Sequence, residues 1–164
     1  MTCFADQQSQ LVLTGDSCEY LRLSNRRRSD HYVIRCCVQL GGVGMRAELH
    51  DLTVFPNDHP ALFFEQLAAE FTGWTGERSW QSPDRDLAVR AEYGSGGHVT
   101  LTWQARPWRH SDTGHWAAEV RTSLEAGAQT STLAADLHRF FDPDGEPTPG
   151  DPFSCPGPGA TGPW

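Results

Sequence analysis

The chain is 164 residues long, 38% hydrophobic, and carries 13 basic against 21 acidic side chains for a net charge of −8. That length fits one domain with a core of its own, and the absence of any run of about 18 apolar residues excludes a membrane-spanning helix. The first residues, Met1-Thr2-Cys3-Phe4-Ala5-Asp6, also lack the basic-then-apolar pattern of a secretory signal.

Half of the net charge has a local origin. Beyond residue 141 stand four acids (Asp142, Asp144, Glu146, Asp151) and no base, which leaves 17 acids against 13 bases, or −4, for residues 1–141. The body is only mildly acidic, so charge does not argue for a basic partner. Every base is arginine, as expected from codon usage in a GC-rich genome. Five cysteines at irregular spacing, with Cys36 and Cys37 adjacent, build neither a disulfide framework nor a paired metal motif. Reduced thiols in a cytoplasmic protein are expected.

In chain order, residues 1–9 read as a flexible lead into a single domain over 10–141. Strands are expected over 11–13, 19–23, 32–40 and 43–54. In the third of these Tyr32, Ile34, Cys36, Val38 and Leu40 share a face, and Gly41-Gly42 makes a tight reversal into the fourth. Arg26-Arg27-Arg28 lies among Asn25, Ser29 and Asp30, the composition of an exposed turn. Asn57-Asp58-His59-Pro60 then opens a helix, with Phe64, Leu67, Ala68 and Phe71 at helical spacing and Gly73 placed to end it. Three strands follow, marked by alternation of Leu87, Val89, Ala91 and Tyr93, of Val99, Leu101, Trp103 and Ala105, and of Trp116, Ala118, Val120 and Leu124. Gly94-Ser95-Gly96-Gly97 joins the first two, and a longer turn over 107–114 leads to the third. A second helix runs from Thr130 or Thr132 to Phe141 and stops at Asp142-Pro143. Residues 142–164, rich in proline and glycine, are too apolar-poor to order and form a disordered acidic tail. The expected fold is α+β: a predominantly antiparallel sheet of about seven strands with hairpin links, covered on one face by two helices.

Catalytic and metal motifs do not emerge. Both glycine clusters lead into strands, whereas a phosphate cradle needs a helix N-terminus. The seven histidines, His110 and His115 among them, fall at no zinc-ligand spacing, and Asp142-Pro143-Asp144-Gly145 lacks the later ligands of a calcium loop. No cofactor is expected. Cys36 and Cys37 in a strand point to opposite faces, one of them buried and inert. The arginine run sits in a body that is not basic, so no nucleic acid is expected.

The most distinctive stretch is the linker between the first helix and the late strands, Gly73-Trp74-Thr75-Gly76-Glu77-Arg78-Ser79-Trp80-Gln81-Ser82. Tryptophan joins a large apolar body to one N–H, which suits a lid on the core or an interface anchor. Trp74, Glu77, Arg78, Trp80 and His98 form the candidate partner or ligand surface.

These landmarks carry a resemblance. The set Phe63-Phe64-Glu65-Gln66-Leu67, Gly73-Trp74-x-Gly76-Glu77, Trp80-x-Ser82, Gly97-His98-Val99-x-Leu101, Trp116 and Glu125-x-Gly127 resembles uncharacterised actinobacterial domains of unknown function. More distantly it is similar to the WapI-type immunity proteins, which neutralise a contact-delivered toxin by binding it. The resemblance spans residues 11–141 and carries no binding residue across. Together with the missing catalytic motifs and the small sheet-based body, it points to a non-enzymatic domain whose partner is a protein toxin or another protein; no membrane association is expected. The alternative is an enzyme or small-ligand binder with a pocket between helix and sheet, lined by Trp74, Trp80 and His98.

Overall fold

The computed structural model describes residues 3–6, 10–28, 30–108 and 114–142. Among them, nine strands form two antiparallel sheets. The first contains β1 (Cys3–Asp6), β2 (Gln10–Thr14), β3 (Tyr20–Arg28), β4 (Ile34–Gly42) and β5 (Met45–Val54), side by side in that order. The second contains β6 (Glu77–Gln81), β7 (Leu87–Gly94), β8 (His98–Ala105) and β9 (Ala118–Glu125). Helix α1 (Pro60–Ala69) links the sheets and α2 (Ala128–Phe141) follows the last strand. The expected α+β class with hairpin links holds, but the strands divide between two sheets. No helix among the described residues is long and apolar enough to cross a membrane.

The alternating patterns build the two inner faces. In the second sheet Val89, Trp103 and Val120 stand side by side, as do Ala91, Leu101 and Thr122, so each layer of one strand continues in the next. In the first sheet Leu21, Leu23, Val38 and Leu40 do the same from β3 to β4. Both inner faces and the two helices share one continuous core. The sheets approach each other where β3, β4 and β5 meet β8 and β9, and the mutually packed helices fill the rest of the space between them. Phe64 of α1 stacks on Trp103 at 5.8 Å between ring centres.

Several local expectations change. Residues 3–6, expected in a flexible lead, pair along β2 as an edge strand. Arg26, Arg27 and Arg28 are not an exposed turn: they end β3, and Arg26 and Arg27 are buried. The cause is an irregularity between Ser24 and Arg27, where Asn25 takes φ of 50° and the strand resumes with Arg27 opposite Arg35. Arg27 then donates to Asp51 at 2.8 Å, which offsets part of its desolvation. Tyr32 lies outside β4 and is exposed. The reversal into β5 is made by Val43 and Gly44, the latter at φ of 75°, rather than by Gly41-Gly42. Gly41 is needed for a different reason, since a Cβ there would lie 2.3 Å from the Tyr20 ring. The hairpin at residues 94–97 is as expected, with Gly96 and Gly97 both at positive φ. Cys36 and Cys37 occupy opposite faces of β4, yet both are buried. Cys18 and Cys36 are free thiols, whereas Cys37 is disulfide-bonded, against the expectation of reduced cysteines throughout. The expected disordered tail, apart from Asp142, lies outside the described residues.

Candidate functional site

The residues singled out in the linker do not form one surface. Residues 77–81 of that linker are the edge strand β6, and Trp80 points inward opposite Val89, 8% exposed, its Nε1 donating to Asp58 Oδ1 at 3.0 Å. Trp80 is a core residue. Glu77 is exposed opposite Glu92, and His98 is exposed at the start of β8, between Gly94 and Glu125. Trp74 is half-buried and meets the edge of Tyr93 with ring centres 5.3 Å apart.

Tyr93 links Trp74 to the chain just beyond α1. Gly73, at φ of 111°, passes so close to Tyr93 that a Cβ would lie 2.8 Å from the ring. The Tyr93 hydroxyl donates to the Phe71 carbonyl at 3.3 Å, and Phe71, beyond the end of α1, is 59% exposed. Arg78 Nη2 donates to Glu70 Oε2 at 2.7 Å beside them. Phe71 and Tyr93 lie outside the sequence-based candidate surface, because their spacing places the first on a helix face and the second on a strand face, and no local pattern marks Phe71 as exposed.

At the opposite end of the second sheet lies a cleft of about 550 Å³ lined by Pro83, Asp84 and Arg85 of the β6–β7 loop and by Arg106, Pro107, Trp108, His115 and Trp116 between β8 and β9. None of Trp74, Trp80 or His98 lines it. The β6–β7 loop is fixed by Ser82, whose Oγ accepts the backbone N–H groups of Asp86 and Leu87 at 3.1 Å each and whose hydroxyl donates to the Asp86 carboxylate. Asp86 is buried, which pushes its pKa up against the lowering effect of the Ser82 hydroxyl. This bracing holds Arg85 at φ of 60°, a conformation a non-glycine side chain seldom adopts. Arg106 ties the chain just after β8 to that loop: its backbone N–H donates to the Asp86 carbonyl at 2.8 Å and its Nε to the Arg85 carbonyl at 3.2 Å.

A third polar group lies between the helices. His59, at the start of α1 and 2% exposed, stacks on Phe141 at 5.4 Å and meets His138 edge-on at 5.5 Å. His138 Nε2 lies 2.5 Å from Glu65 Oε1, joining the two helices. Burial holds the His59 pKa below the ordinary value, and a charge on His138 would add to that, against Asp142, Glu65 and Asp58. The unfolded chain therefore takes up a proton near pH 6.5, at about the ordinary histidine pKa, before the folded protein does. Stability contributed by neutral His59 is present above that pH and is lost as pH falls below it. The buried carboxyls of Asp86 and Asp136, whose pKa values are raised by burial, act with the opposite sign. Urea midpoints should thus fall between pH 7.5 and 5.5, and His59→Gln should flatten that slope; an unchanged slope would remove His59 as its source.

Among the described residues, no group of three or more histidine, cysteine, aspartate or glutamate side chains is placed to hold a metal ion.

Two antiparallel sheets sharing a core with a helix pair, carrying the Trp74–Tyr93 ring pair at one end and an arginine-lined cleft at the other, define a small two-sheet α+β domain. The model of a family of unknown function, DUF6228, matches residues 12–144, and the chain belongs to that family. No curated protein and no solved structure matches the chain.

Proposed function

We propose that the domain is a non-enzymatic protein-binding module, and that its role is immunity-like: neutralising a toxin by direct binding. The observation that carries the reading is the Trp74–Tyr93 ring pair, whose Tyr93 hydroxyl bonds the backbone of exposed Phe71, next to β6, the edge strand of its sheet among the described residues. Phe71 is 59% exposed, and among the described residues β6 ends its sheet, with no further strand beyond it. An edge strand offers main-chain hydrogen bonds to a partner, and aromatic side chains next to it supply anchors with little conformational entropy to lose. Arg78 and Glu70 give the polar rim. The similarity of the tryptophan and turn positions to actinobacterial domains and to WapI-type immunity proteins supports the finer role. Free thiols at Cys18 and Cys36 favour the cytoplasm as its location, and the Cys37 disulfide counts against it.

The test is co-expression with the product of a toxin-like gene adjacent to its own. The wild-type chain should restore growth and co-purify with that product. Trp74→Ala and Phe71→Ala should each weaken the complex by about 2 kcal/mol or more, roughly thirty-fold in Kd. An adjacent gene whose product is harmless overturns the immunity role, and full affinity in both variants overturns the aromatic surface.

A further inference from the structure

The geometry points to a second site, in the cleft lined by residues 83–85, 106–108 and 115–116, that binds a small planar aromatic carboxylate. This inference is independent of the protein-binding surface, which lies at the opposite end of the same sheet.

The argument starts from the arginines. Eight described arginines are exposed: Arg35, Arg46, Arg78, Arg85, Arg90, Arg106, Arg121 and Arg139. Six of them have a carboxylate oxygen within 3.9 Å. The two with no such partner among the described residues are Arg85 and Arg106, and both line this one cleft. In a chain with 21 acids and 13 bases, pairing is the default state for an arginine. Two arginines lining one concave site with no carboxylate partner among the described residues are placed for an anion brought from outside, and guanidinium matches a carboxylate in a planar fork.

The position of these groups is held rather than incidental. The Ser82–Asp86 bracing imposes the left-handed backbone at Arg85, and the Arg106 Nε bond to the Arg85 carbonyl fixes one arginine against the backbone of the other. A strained non-glycine residue that the surroundings over-determine is characteristic of ligand sites. Since Arg106 spends its Nε on that bond, its terminal nitrogens remain for the ligand.

The rest of the lining specifies what is attached to the anion. Trp108, 49% exposed, and half-buried Trp116 present indole surface to the cleft. Indole faces and edges favour stacking against a flat ring. A cleft of about 550 Å³ lies within the range of small-molecule sites and admits a one- or two-ring acid. Asp84 on the same wall disfavours ligands carrying several negative charges, which selects a monocarboxylate over a nucleoside polyphosphate.

The probe is 1-naphthoate, with 1-naphthalenemethanol as its uncharged counterpart, titrated into the full chain and followed through the six tryptophan indole N–H resonances. Naphthoate should shift the Trp108 and Trp116 signals saturably and leave those of Trp74 and Trp80 in place, and the alcohol should bind about ten-fold more weakly or worse. Arg85→Gly removes the guanidinium at a position whose backbone glycine adopts freely, so the fold is retained while naphthoate affinity falls about ten-fold. Arg106→Gln should act in the same direction, and if that variant unfolds, Arg85→Gly decides alone. No saturable shift at Trp108 and Trp116, equal binding of the alcohol, or unchanged affinity in the Arg85→Gly protein each overturns the assignment.

Discussion

Replacing Phe64 with alanine will lower the stability of the domain by about 3–5 kcal/mol. Phe64 has no exposed surface; its ring stacks on Trp103 at 5.8 Å and receives the edge of Phe63 at 5.3 Å. Trp103 in turn stands in the middle of the second sheet between Val89 and Val120. The cavity left by the phenyl ring would be walled by a large aromatic that its neighbours hold in place and by the packed helix pair. Such a site collapses poorly, which puts the cost at the upper end for a large-to-small change. A domain of this size loses very roughly 3–5 °C of melting temperature per kcal/mol, so a drop of at least about 10 °C is expected. Phe64→Leu keeps most of the volume and should cost about 1–2 kcal/mol. Urea and thermal denaturation of the two variants check both figures. A loss below about 1 kcal/mol in the alanine variant would mean that α1 is not docked on the second sheet as described.

The same residues show how far the sequence could be read. Strict alternation over 87–93 and 99–105, with four small turn residues between, leaves one pairing in which both inner faces agree, and β7 and β8 form it. Phe64, Leu67 and the proline at the first helical position likewise mark α1, because a 3.6-residue period and a fixed φ are local properties. The partition of the strands into two sheets is not local. Alternation states which side chains share a face, but which strand lies next to β5 or β6 depends on how α1 carries the chain from one sheet to the other. Arg26 to Arg28 misled for a related reason: their composition is that of a turn, while a single residue of positive φ at Asn25 lets the strand continue and the sheet bury them. In the candidate sites, Trp74 and Arg78 were visible as unusual residues in a linker. The cleft was not, since Arg85 and Arg106 belong to different loops and come together only through the pairing of β7 with β8. The significance of both arginines lies in having no carboxylate partner among the described residues, and a sequence does not display unmade ion pairs.

Trp80 is where the two readings of the linker separate, and its variants give a large effect. Trp80→Ala should cost about 3–5 kcal/mol, because a side chain 8% exposed on the inner face of β6 leaves a cavity beside Val89. Part of that cost is polar. The indole Nε1 donates to Asp58 Oδ1 at 3.0 Å, tying the edge strand to the residue just before the N-terminus of α1. Trp80→Phe keeps most of the packing and removes that bond, so it should cost about 1–2 kcal/mol, the range for a hydrogen bond to a charged acceptor plus a small void. Asp58 is exposed, and Asp58→Ala should cost about 1 kcal/mol for the same bond. The double variant Trp80→Phe, Asp58→Ala should then be less destabilised than the sum of the two, since both remove one interaction. If Trp80 instead anchored a partner, Trp80→Ala would leave the melting temperature within a few degrees and abolish the complex that Trp74→Ala weakens. Melting and binding measured on the one variant separate the alternatives, and the inward placement of the indole predicts a large loss of stability.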